Sequence, residues 1–160
     1  MCIVGHELGH AIHYLARHPD KVTHVDVVMH DDYTEIEPHF SCDPSELGIS
    51  HAVNFCCGSL GERVQAGERD AILLLMNHTE GNWLSNLFDT PHKSAHDKNC
   101  LVAIVKGSDD FPHQEFATEL VRAEKLLERY LPAVDVDALT VRLERDGRIT
   151  LTQRDLETLH

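Results

Sequence analysis

No stretch of this 160-residue chain approaches the roughly 20 consecutive apolar residues needed to cross a bilayer, and its start has neither the basic nor the apolar region of a signal peptide. A soluble, cytoplasmic protein with no membrane partner is the expectation. Positive charge is also scarce: 14 Lys and Arg stand against 27 Asp and Glu, a formal charge of −13. Such a balance opposes binding to phosphate backbones and anionic headgroups, so no nucleic-acid partner is expected. The five cysteines, Cys2, Cys42, Cys56, Cys57 and Cys100, are an odd set without a Cys-x-x-Cys pair. They indicate neither a disulfide framework nor a zinc knuckle, and reduced, partly buried thiols are expected instead. Internal repeats, low-complexity segments and linkers are absent. The 42% hydrophobic content is enough for a core, and the length suits one domain over residues 1–160.

What the chain does have is Gly5-His6-Glu7-Leu8-Gly9-His10-Ala11, a His-Glu-x-x-His motif. In a helix, His6 and His10 lie one turn apart on one face, where two imidazoles reach one metal ion and Glu7 stands beside it. A catalytic zinc takes three protein ligands, leaves its fourth position to water and lowers that water's pKa to about 7. A carboxylate within reach then takes the proton as the water attacks a carbonyl, and Glu7 is placed for that role. In a chain this rich in His and Glu, chance yields roughly 0.1 such motifs. Ile3, Ala11, Ile12, Tyr14 and Leu15 add apolar positions at helical spacing.

The first helix is predicted over Ile3 to Arg17, stopped at His18-Pro19-Asp20. Lys21 to Met29 alternates as a strand, with Thr23, Val25, Val27 and Met29 on one face. His30 to Cys42 is polar, with room for a short returning strand. Asp43-Pro44-Ser45-Glu46 starts a helix running to about Gln65, in which Gly58 and Gly61 would let another helix come close. Asp70 to His78 and Glu80 to Phe88 are helical, separated near Gly81. Ser94 caps a helix that reaches about Lys106 and carries Asp97 in its first turn. A long helix covers His113 to Tyr130, a short one Asp135 to Glu144, Gly147 makes a turn, and Thr152 caps a last helix to Leu159. The expected fold class is mainly α (α+β), with a small β element after the first helix.

With these elements in order, the chain resembles the peptidase domain of the FtsH-type ATP-dependent zinc metalloproteases. His6-Glu7-Leu8-Gly9-His10-Ala11 is similar to that family's His-Glu-Ala-Gly-His-Ala, and Lys21-Val22-Thr23 to its short strand after the first helix. Leu60-Gly61-Glu62-Arg63-Val64 resembles its Leu-Gly-Gly-Arg-Val, and His96-Asp97 stands where the family has Asn-Asp opening a helix. Ala123 to Leu159 fits its helical tail loosely. The resemblance implies a helical zincin-like peptidase domain with Zn²⁺ as cofactor, Asp97 as third ligand, a peptide or protein substrate, and a homo-oligomer left open. The departures are Glu62 for Gly, His96 for Asn, little helix before the motif, and no ATPase module, Gly-rich phosphate loop or membrane anchor. A free-standing zinc peptidase is implied, or a descendant that kept the fold and lost turnover.

From the residues themselves the third ligand stays open between Asp97, Glu62, His96 and His92, with His13 as a further neighbour of the pair. Thr23 to Met29 is either an exposed edge near the metal, able to pair with an extended peptide, or an ordinary sheet strand. Trp83 and Phe88 either line a pocket or belong to the core. Two function classes follow. One is a zinc metallopeptidase in which Glu7 is the general base and His6, His10 and Asp97 hold the metal. The other is a non-catalytic zinc-containing binding or regulatory module; an intact Glu7 favours the enzyme.

Overall fold

A computed structural model describes residues 3–78, 83–90, 95–107 and 109–158. Helix α1 (Ile3–Arg17) is the central element. Its apolar stripe, Leu8, Ile12 and Leu15, is essentially inaccessible, and from Val4 to Tyr14 even its polar residues are buried. Three layers explain that burial, because α1 is flanked by a sheet, by helix α2 (Ile49–Gln65) and by helix α6 (His113–Tyr130). Arg17 fastens the last contact through two hydrogen bonds to the Glu119 carboxylate, each 3.1 Å.

The sheet is antiparallel with order β2-β1-β3, built from β1 (Val22–Met29), β2 (Thr34–Phe40) and β3 (Arg148–Thr152). Val25 and Val27 of β1 are fully buried, as its alternation predicts. β2 is the returning strand for which residues 30–42 left room. β3 was not foreseen: Arg148-Ile149-Thr150-Leu151-Thr152 follows Gly147, whose φ of +75° ends helix α7 (Val136–Asp146), and then pairs with β1. It also confines the last helix, α8, to Gln153–Glu157, still capped by Thr152 as expected, with Asp155 completing the capping box.

A further difference concerns α2. The Asp43 capping box forms as predicted, with Glu46 as its partner, but it opens a single 3₁₀ turn, Pro44–Leu47. Gly48, at φ +63°, then redirects the chain, and α2 begins at Ile49. Against α1, α2 packs at backbone distance: a Cβ on Gly9 would lie 2.1 Å from the Cys57 carbonyl oxygen, and one on Gly61 2.9 Å from that of Gly5. Cys56 and Cys57 are buried free thiols here, and Cys42 and Cys100 are free and partly exposed.

Helices α3 (Ala71–His78), α4 (Trp83–Leu87) and α5 (Ala95–Lys106) match the predicted helical segments, while Gly81, Ser94 and Leu159 lie outside the described residues. Phe116, Leu120, Ala123 and Leu127 bury the inner face of α6, as their spacing predicts. Among the described residues no helix is long and apolar enough to cross a membrane.

Candidate metal centre

The helical spacing of α1 brings the His6 and His10 rings edge to face, with centroids 5.1 Å apart. Helix α5 then supplies a donor from far along the chain. Asp97 Oδ2 lies 3.4 Å from His6 Nε2 and 3.1 Å from His10 Nε2. One donor atom from each of the three residues falls within a 4.8 Å cluster, small enough for a single ion to touch all three.

Helix α2 determines which ring nitrogens are offered. His6 Nδ1 donates to Glu62 Oε2 at 2.9 Å, and Thr90 Oγ1 donates to the same oxygen at 2.7 Å. His10 Nδ1 donates to the Asn54 carbonyl oxygen at 2.8 Å, with Asn54 Oδ1 at 3.1 Å. Acceptors at both Nδ1 atoms hold a ring proton there, so Nε2 is the nitrogen each ring turns toward Asp97, and its lone pair is what an ion displacing an Nε2 proton would meet. Glu62, weighed as a third ligand, therefore sits behind His6 on the opposite ring edge from Asp97. There it is an orienting carboxylate.

Space is reserved in front of those lone pairs. A Cβ on Gly58 would lie 2.3 Å from His6 Nε2 and 2.5 Å from His10 Nε2. From the sequence, Gly58 stood out for helix approach; in the fold, its missing side chain clears the rings.

Electrostatically the centre attracts cations, since Glu7, Glu62 and Asp97 surround two imidazoles. Burial alone would depress the His6 imidazole, but hydrogen bonds with Asp97 and Glu62 and the nearby Glu7 charge outweigh it and bring its pKa to about 9. Glu7 responds in the other way. Burial pushes its carboxyl above the usual range, opposed by the charges of His10 and His6. Thr34 Oγ1 lies 3.4 Å from Glu7 Oε1.

The remaining candidates separate clearly. His96 points toward Cys100, its Nε2 3.6 Å from Sγ, and stays outside the donor cluster. His92 lies outside the described residues. His13 is fully buried and receives a 2.9 Å hydrogen bond from Asn54 Nδ2, one layer behind His10. Phe88 is core and Trp83 packs against it, and neither lines the cleft. Asn54 and Thr90 were missed from the sequence; an asparagine one turn before the buried Gly58 of an apolar helix face was the available signal for the first.

The centre opens into a cleft of about 530 Å³, with Glu7, Tyr14, Thr34, Ile36 and Asp97 among its walls. Its sheet-side wall is β2. Of the two readings of Thr23 to Met29, the ordinary sheet strand holds and the exposed edge does not, because β1 is the central strand with neighbours on both sides and β2 lies at the edge.

The donor set fits a zinc ion. Two imidazole nitrogens, each fixed through its Nδ1 partner, and a carboxylate oxygen are the borderline donors zinc takes, and the glycine-lined space and the three surrounding carboxylates suit a dication that displaces the Nε2 protons. No family model matches the chain, and comparison with curated proteins and with solved structures returns no match.

Proposed function

We propose that this chain is a zinc-dependent metallopeptidase with an FtsH-like, zincin-type peptidase domain. The observation that carries the reading is the convergence of His6 Nε2, His10 Nε2 and Asp97 Oδ2, with Glu7 beside them on the cleft wall. These three residues would hold the ion, and zinc supplies Lewis acidity that acidifies water and polarises a carbonyl.

The chain's own residues do the rest. Glu62 and Asn54 hold the two imidazoles in one tautomer and one orientation. Glu7 takes the proton of the attacking water as its oxygen bonds to the peptide carbonyl carbon, and returns a proton to the amine as the C–N bond breaks. Burial raises its carboxyl pKa above the usual carboxylate range, which favours its taking up the proton. β2, at the sheet edge and along the cleft, offers main-chain groups to an extended peptide, which aligns the substrate with little demand on its sequence.

The test is Glu7→Gln, which keeps size and hydrogen bonding but removes the base. Zinc content should stay at the parental level while cleavage of casein or a peptide library falls by roughly 10²-fold or more. A variant cleaving at the parental rate refutes the role of Glu7. A zinc-loaded parent that cleaves nothing in such a library favours the binding-module reading.

A further inference from the structure

A second cluster of side chains with metal-ligand chemistry lies on the face of β1 opposite α1. By strand alternation His24 and Asp26 point away from the buried Val25 and Val27, and His39 of β2 joins them. A bulge creates this grouping. The register passes from Val22↔Phe40 directly to His24↔His39, so Thr23 is an extra residue in β1 and shifts His24 opposite His39. Without it, His24 would face Pro38. The two rings stack with centroids 4.0 Å apart and an interplanar angle of 16°.

We propose that His24, His39 and Asp26 form a second site for a divalent transition cation of the Zn²⁺ class, separate from the His6–His10 centre. One donor atom from each of the three lies within a 4.8 Å cluster. Their protonation is already arranged. Thr23 Oγ1 donates its hydrogen to the His39 carbonyl oxygen, so toward His24 Nδ1, 3.1 Å away, it can only accept. His24 therefore carries its proton on Nδ1 and offers Nε2 as a lone pair. His39 Nε2 lies 3.2 Å from Asp26 Oδ2, and a cation would take the place of the proton between them, which leaves to solvent.

Arg148 is the competing cation and does not close the site. Its Nη1 is shared between Asp26 Oδ2 at 2.7 Å and Glu37 Oε2 at 2.9 Å, and its side chain is half exposed. It can remain on Glu37 while Thr150 keeps Asp26 Oδ1, which frees Oδ2. Asp26 and Glu37 face each other across the strands, so with Arg148 the patch retains one net negative charge. Two imidazoles and one carboxylate are borderline donors that prefer Zn²⁺, Ni²⁺ or Cu²⁺ to Ca²⁺ or Mg²⁺. A bound cation would clamp β2, the cleft wall, onto β1.

The experiment is calorimetric titration of the chelator-stripped full chain with ZnCl₂ at neutral pH. With the first centre removed by His6→Gln and His10→Gln together, about one equivalent should still bind, and adding His39→Gln or His24→Gln should abolish it. In the otherwise unchanged chain, His39→Gln should lower the stoichiometry by one. This arm decides the matter should the double variant fail to fold, since His39 is exposed. Unchanged stoichiometry on replacing either histidine would overturn the proposal. A parent that binds one equivalent and loses it with His39→Gln would instead support this site and count against the His6–His10 centre.

Discussion

Gly58→Ala perturbs the candidate centre by a single methyl group. The added Cβ would lie 2.3 Å from His6 Nε2 and 2.5 Å from His10 Nε2, where ordinary contact begins at 3.4 Å. The rings must therefore retreat by about 1 Å. They have little freedom to do so, because Glu62 and Asn54 hold them from behind. Helix propensity acts in the opposite direction, since Ala for Gly inside a helix favours folding by about 1 kcal/mol, while overpacking a buried site costs about 1–3 kcal/mol. The net effect on stability is therefore small, between about zero and 2 kcal/mol of loss. Function should respond far more, because a shift of about 1 Å in a reacting constellation costs about 10²-fold. Zinc content should fall by about one equivalent relative to the parent, with peptidase activity lost in step. Gly48→Ala is the control: its φ of +63° makes an L-residue strained, but nothing lies near the added Cβ, so it should lower stability and leave zinc in place. Full zinc binding and turnover in Gly58→Ala would show that the metal does not bind at the Nε2 face.

The centre was legible in the sequence as far as its chemistry is local. His6, Glu7 and His10 follow from helical spacing alone, because i and i+4 share a face in any helix. Asp97 is separated from them by about ninety residues, and no periodicity links the two; its inclusion depended on a resemblance rather than on a physical signal. Glu62 was visible as a candidate, but which edge of the His6 ring it touches depends on how α2 crosses α1. That crossing is set by Gly9 and Gly61 in contact across the helices, a tertiary fact. The fold divides in the same way. α1 and α6 were legible because their stripes are long, and the Asp43 cap because its chemistry spans four residues. β3 was not, since Arg148–Thr152 alternates over only five residues and is a strand because β1, more than a hundred residues earlier, offers it an edge. Gly48 was passed over inside an otherwise helical segment, where a single positive φ is enough to split a helix from its cap.

The layer behind the proposed metal ligands should matter to affinity more than to folding. Glu62→Gln removes the charge that orients His6 but keeps an acceptor, so zinc affinity should fall by about 10- to 100-fold with an unchanged circular dichroism spectrum; equal affinity would show that Glu62 does not orient the ring. Acid sensitivity should come from the polar chain that continues inward from Asn54 to His13 and on through Ser50 to His18. Burial, then the charges of His18, His10 and Arg17, brings the His13 imidazole down to about 3, and burial with Arg17 and Lys21 brings His18 down to about 4. Both folded values lie below the unfolded value near 6.5, so between these limits the unfolded chain binds the extra protons. Stability is then fully present above about pH 6.5 and is lost as pH falls toward 4. Each imidazole should raise the unfolding constant by up to about tenfold per pH unit in that window. Urea unfolding at pH 6 and pH 5 measures the slope. His18→Gln keeps a partner for Ser50 but cannot take up a proton, so it should remove one histidine's share, near tenfold over that unit. An identical slope in parent and variant would mean that His18 already carries its proton in the folded chain, or exchanges it freely with solvent. Ser50 would then accept from His18 rather than donate to it, while it goes on accepting from His13 Nε2 and Asn54 goes on donating to His13 Nδ1.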